Sequence, residues 1–171
     1  MQAGAHAPEI DLLLRLLDEA YSRKAWHGPS LRGAIRGLDP RVAAWRPSAG
    51  RHNIWEIVVH CAYWKYAARR RILGEKRGAF PLKGSNWFAR PVAALSQAWH
   101  SDIALLEDMH QGLRSVVAGL SPHDLKKIPR GSRVPNLAVL SGIAAHDIYH
   151  AGQIQLLKRL ARGRIEEKGN G

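Results

Sequence analysis

Two histidines four residues apart, His146 and His150, lie inside the apolar run from Asn136 to Leu157. Leu140, Ile143, Ile154 and Leu157 mark one side of a helix there, and both histidines fall in the same stripe, where a core-facing helix otherwise carries apolar groups. Imidazoles at this spacing can turn their ring nitrogens onto one ion, as helical zinc-binding pairs do. A buried histidine also has a simpler use as a hydrogen-bonded core residue. The metal reading therefore needs a third inward histidine from elsewhere in the chain.

A second amphipathic segment supplies it. Ile54, Ile57, Val58, Cys61, Trp64 and Ala68 form an apolar stripe, and His60 sits three residues after Ile57 and four before Trp64. Three neutral imidazoles leave a divalent ion at least one position for water or substrate, the arrangement of catalytic rather than closed zinc sites. Such an ion lowers the pKa of a bound water or thiol, or polarises a substrate oxygen. The ligand set suits Zn, Ni, Fe or Mn, and Cu as well, without choosing among them.

The residues around this trio have two readings each. Glu56, one turn before His60, either orients a ligand or lines the open position, or else serves the helix cap. Gln153, one turn after His150, is either a hydrogen-bond partner of a ligand or an ordinary amide. Tyr63, Trp64 and Trp87 either wall a pocket or pack as plain core. Cys61 directly follows His60, about 100° around the helix, and is read as a small core residue. Of the other histidines, His27 and His52 lie in loops where they could meet a substrate, and the rest read as surface or capping residues.

Four long amphipathic helices must position these groups. They are expected at about 9–27, 54–73, 92–118 and 137–162. Asn53 with Glu56 forms a capping pattern ahead of the second helix, and Gly74 closes it. A short helix is expected within Ser30 to Gly37, and the connector from Gly78 to Pro91 carries Phe80, Trp87 and Phe88, aromatics expected to pack back onto the fold. With almost no strand signal, the reading is an all-α, antiparallel four-helix bundle with long connecting loops, one domain over 1–171.

Composition sets the outer limits. In 171 residues, 46% are hydrophobic and 23% charged, as in globular proteins. No apolar run reaches membrane-span length, Met1 to Pro8 lacks a leader pattern, and the single cysteine allows no intrachain disulfide, so a soluble cytoplasmic protein is expected. The formal charge of +12 attracts anions at low salt, but the basic residues are spread over helix ends and connectors, and no recognition helix, RNA-binding signature or finger spacing accompanies them. Specific nucleic-acid binding is not expected.

The run from Asn53 to Trp64, preceded by Trp45-Arg46-Pro47, together with the run from Ala145 to Ile154, resembles the DinB-like superfamily of damage-inducible-type bacterial proteins. The resemblance covers most of the chain. It implies a four-helix bundle holding a divalent ion on three histidines, which fall here on His60, His146 and His150. It also implies, for some relatives, activation of a low-molecular-weight thiol for transfer or isomerisation. The leading expectation is thus a metal-dependent enzyme, a thiol S-transferase or hydrolase acting on a small molecule, and pairing as a homodimer. The alternatives are a non-catalytic, stress-related metal-binding bundle and, further off, a nonspecific nucleic-acid binder.

Overall fold

A computed structural model describes residues 6–169 except 92–95, with side chains described as far as Arg164. The described residues form seven helices: α1 Pro8–Tyr21, α2 Leu31–Ile35, α3 Pro40–Ala44, α4 Ile54–Leu73, α5 Ser96–Ala118, α6 Pro122–Lys126 and α7 Asn136–Gly169. None of them is long and apolar enough to cross a membrane. Every named element among the described residues is a helix, as the periodicity leads one to expect.

The helix ends follow local chemistry. Asn53 accepts the Glu56 N–H at 2.9 Å while Glu56 reaches back to the Asn53 N–H at 3.3 Å, so α4 opens on a full capping box. Gly74 closes it in the left-handed region at φ 69°, where the Glu75 N–H returns to the Arg70 carbonyl. Two ends depart from expectation. Helix α1 stops at Tyr21 rather than near residue 27, because Ser22, Arg23, Lys24 and Trp26 bury little that would offset the entropy of ordering them. Helix α7 runs on to Gly169, with no proline to stop it. The expected start of the third helix at Val92, and Leu95 with it, lie outside the described residues.

The four long helices touch in a ring, α1 to α5 to α4 to α7 and back to α1. Their directions follow from which ends meet. On α1 and α5, Tyr21 bonds Glu107 while Asp18 bonds Arg114, so the two run oppositely. On α4 and α5, Trp55 near the start meets Trp99 and Asp102, whereas Arg69 near the end lies against Gly112, so these two run the same way. Helices α4 and α7 oppose one another: Ile57 and Val58 share a core cluster with Ala151 and Ile154, and Ala68 shares another with Leu140 and Ile143. The bundle is therefore not a simple up-and-down series. Like-directed neighbours need a connection that travels back the length of a helix, roughly 30 Å for twenty residues, and the long segment between α4 and α5 serves that end. On its way it buries Phe80 and Phe88 in the core and lays Trp87 beside the histidines.

Helix α4 is buried almost all round its first half. One polar pair sits inside that interface: Lys65, 0% exposed, donates to Asp147 of α7, 1% exposed. Burial raises the Asp147 pKa against the pull of the ammonium. The pair ties α4 to α7 five residues beyond His60 and immediately beside His146. Replacing Lys65 by Met leaves a buried carboxylate uncompensated and is expected to cost about 3 kcal/mol or more in urea unfolding, whereas Lys65→Met with Asp147→Leu recovers most of that loss.

Candidate metal centre

His60 comes from α4, and His146 and His150 from successive turns of α7. Because the two helices oppose one another, their inward faces bring all three Nε2 atoms together. His146 Nε2 lies 3.1 Å from His60 Nε2 and 3.1 Å from His150 Nε2. The three offer ligand atoms all within 4.8 Å of one another.

Their outer nitrogens settle what the inner ones carry. His60 Nδ1–H donates to the Asn86 carbonyl at 2.8 Å, and His150 Nδ1–H donates to Gln153 Oε1 at 2.7 Å. A neutral imidazole has one N–H, so in both rings Nε2 presents a lone pair. His146 Nδ1 is buried without a partner. Even with its proton on Nε2, His146 can satisfy only one of the two lone pairs facing it. Protonation offers little relief: burial first, then the neighbouring histidines, push the His146 pKa down to about 3, and burial pushes His150 down to about 4. Burial likewise lowers His60. Neutral lone pairs facing one point with too few protons between them are a donor set for a cation. The spacing fits as well, since two nitrogens about 2.0–2.1 Å from a zinc ion at the tetrahedral angle lie about 3.3 Å apart.

The surrounding groups fall into distinct roles. Trp87 is sandwiched between His60 and His52, with ring centroids 3.9 Å and 3.6 Å away and planes nearly parallel. Trp64 donates its indole N–H to Asn86 Oδ1 at 2.9 Å and stands edge-on to His60. Gln153 holds His150 and donates in turn to the Tyr149 hydroxyl at 3.0 Å. Glu56 touches no histidine of the trio. It closes the α4 cap and takes a two-pronged contact from Arg46 at 2.6 and 3.0 Å and a bond from His52 at 3.1 Å. Burial opposes its ionisation, but the bonds from Arg46, His52 and the Asn53 N–H together hold its pKa below the usual range. Tyr63 stands apart, in an aromatic cluster with Tyr66, Phe80 and Phe88. His27 is exposed and outside the cavity beside the trio.

Cys61, His146 and Asp147 also offer atoms within 4.8 Å of one another. The three histidines are the better donor set: Lys65 bonds Asp147 Oδ2, leaving Oδ1 buried without a partner, and burial, reinforced by that carboxylate, raises the Cys61 pKa well above its ordinary value and keeps the thiol protonated.

Asn86 is the site residue that sequence reasoning missed. It is the one non-glycine residue at positive φ among the described residues, at 65°, and that conformation aims its carbonyl at His60 while its side chain takes the Trp64 indole. The available signal was an asparagine following Gly84-Ser85, since Asn tolerates the left-handed region and Gly-Ser-Asn marks a turn.

A cavity of about 730 Å³ opens beside the trio, bounded by His60, His146 and His150 and by Trp87 and Tyr149. The family model of the DinB superfamily matches residues 25–154, a span that contains all three histidines, Asn86 and Gln153. No curated protein and no solved structure matches the chain. The left-handed Asn86 yields a clean test. Asn86→Gly keeps that backbone and should hold zinc affinity within a few-fold, whereas Asn86→Ala, strained by about 1 kcal/mol or more at positive φ, should weaken it about tenfold or more in competition with a chromophoric chelator.

Proposed function

The chain belongs to the DinB superfamily, and from that premise together with the converging histidines we propose that it is a divalent-metal-dependent enzyme acting on a small molecule. The observation that carries this reading is the fixed tautomer of two rings on different helices, each held by an outer hydrogen bond so that its Nε2 lone pair faces the common point. His60, His146 and His150 would hold the ion. When bound, it would supply a Lewis acid able to acidify a thiol or water at an open position.

The chain's own residues prepare the rest. Asn86 and Gln153 fix the tautomer and orientation of two imidazoles that burial keeps neutral, and Trp87 covers one ring face of His60. The cavity gives a substrate access to the trio. A purely structural ion would call for a fourth protein ligand, and among the described residues the group comprises three. The reactions proposed are transfer of a low-molecular-weight thiol to a small electrophile or hydrolysis by activated water, each needing a nucleophile delivered at that open position.

Elemental analysis of untagged protein after incubation with zinc tests the reading. About one equivalent is expected in the wild type, and well under a tenth of one in His60→Ala and His150→Ala variants that keep their helical circular dichroism. Wild-type protein that stays metal-free after exposure to zinc, nickel, manganese and ferrous ions would contradict it.

A further inference from the structure

The face of α7 that carries the histidines does not end with them. Continuing the same three- and four-residue spacing through His146, His150 and Gln153, it presents Leu157 and Leu160, with Leu156 alongside. All three leucines line the cavity, joined by Ile57 of α4. Leu156 is 60% exposed and Leu160 47% exposed, although each lies on a helix whose opposite side has core to join. Large apolar side chains left open along one wall of a concave site are what an apolar ligand covers.

Charge around this wall is one-sided. Arg51 lines the same cavity, and its guanidinium has no hydrogen-bond or ion-pair partner among the described residues. Among the described residues no carboxylate lines the cavity. The acids next to lining residues in the chain are already engaged, Glu56 by Arg46 and His52 and Asp147 by Lys65. Among the described residues the cavity therefore pairs an apolar wall with an uncommitted Arg51 and no competing anion. From His150 to Leu160 the helix advances about 15 Å, at 1.5 Å per residue, so the apolar wall suits a chain or ring system of about that reach rather than a two- or three-carbon unit.

We infer that this cavity takes a small amphipathic monoanion, an alkyl or aryl carboxylate whose apolar body lies along Leu156, Leu157 and Leu160 and whose charge is met by Arg51. The inference names the substrate class of the proposed metal site and rests on that reading for its catalytic meaning. The binding surface itself involves no metal. Apolar contact supplies the affinity and Arg51 the discrimination between an acid and its neutral amide.

The test uses the full-length chain stripped of metal with EDTA, so that no carboxylate can bind through an ion. Octanoate, butyrate and octanamide are titrated by calorimetry, with tryptophan fluorescence as a second signal. Octanoate should bind at least about tenfold more tightly than butyrate, which lacks four methylenes, and several-fold more tightly than octanamide. In Arg51→Gln the octanoate and octanamide affinities should become equal while the preference for the longer chain remains. In Leu160→Asn both eight-carbon probes should weaken. Absence of octanoate binding, equal affinity for octanoate and butyrate, or an Arg51→Gln variant that still prefers the acid would each overturn the proposal. Metal stoichiometry on the same preparation separates the two readings. Octanoate binding by a protein that takes none of zinc, nickel, manganese and ferrous ions removes the enzyme and keeps the amphipathic site, whereas metal uptake without octanoate binding removes the amphipathic site and keeps the enzyme.

Discussion

His60 and His150 stand on different helices with their Nδ1 protons committed outward, and their Nε2 lone pairs face His146 Nε2, which lies 3.1 Å from each. Lone pairs at that distance repel unless a proton or a cation lies between them. One proton on His146 relieves half of the conflict, and burial disfavours adding a second. The fold must therefore hold the three rings together against their own electrostatics. Much of its architecture can be understood as the means of doing so.

Two connections bear that load. Inside the interface, the Lys65–Asp147 pair joins α4 to α7 within a turn of the trio, at positions where neither group meets solvent. At its edge, the connector between α4 and α5 returns along the bundle because those helices run the same way, and it places Asn86 and Trp87 against His60. The like-directed pair of helices and the ordering of His60 are thus consequences of one topological choice. His52 and Trp87 extend the stack on His60 outward, and the Arg46–Glu56 contact anchors the loop that carries His52.

The amphipathic stripes made the three histidines legible, since each sits where a helical period puts apolar residues and a polar side chain is conspicuous. The α4 cap and the burial of Phe80 and Phe88 were legible for the same reason: the determinants are local or compositional. Lys65 and Asp147 also lie on inward faces, but pairing them requires knowing how far α4 is offset against α7, which periodicity leaves open. Helix direction was illegible because amphipathicity is the same read up or down, and only the connector's length hinted at a crossover. The role of Asn86 depends on a backbone carbonyl, which every residue possesses, so residue type could suggest the turn without revealing its target.

Nitrogen-15 NMR of the imidazole rings in metal-free protein at pH 7.5 tests the central claim most directly, because it reports the tautomer and charge of each ring. The account predicts that His60 and His150 are neutral and protonated on Nδ1, and that His150 and His146 stay uncharged well below pH 6, given pKa values pushed down to about 4 and about 3. His60 or His150 protonated on Nε2, or either of them as an imidazolium at neutral pH, would mean that their lone pairs do not face a common point, and the preorganised site would be lost with them.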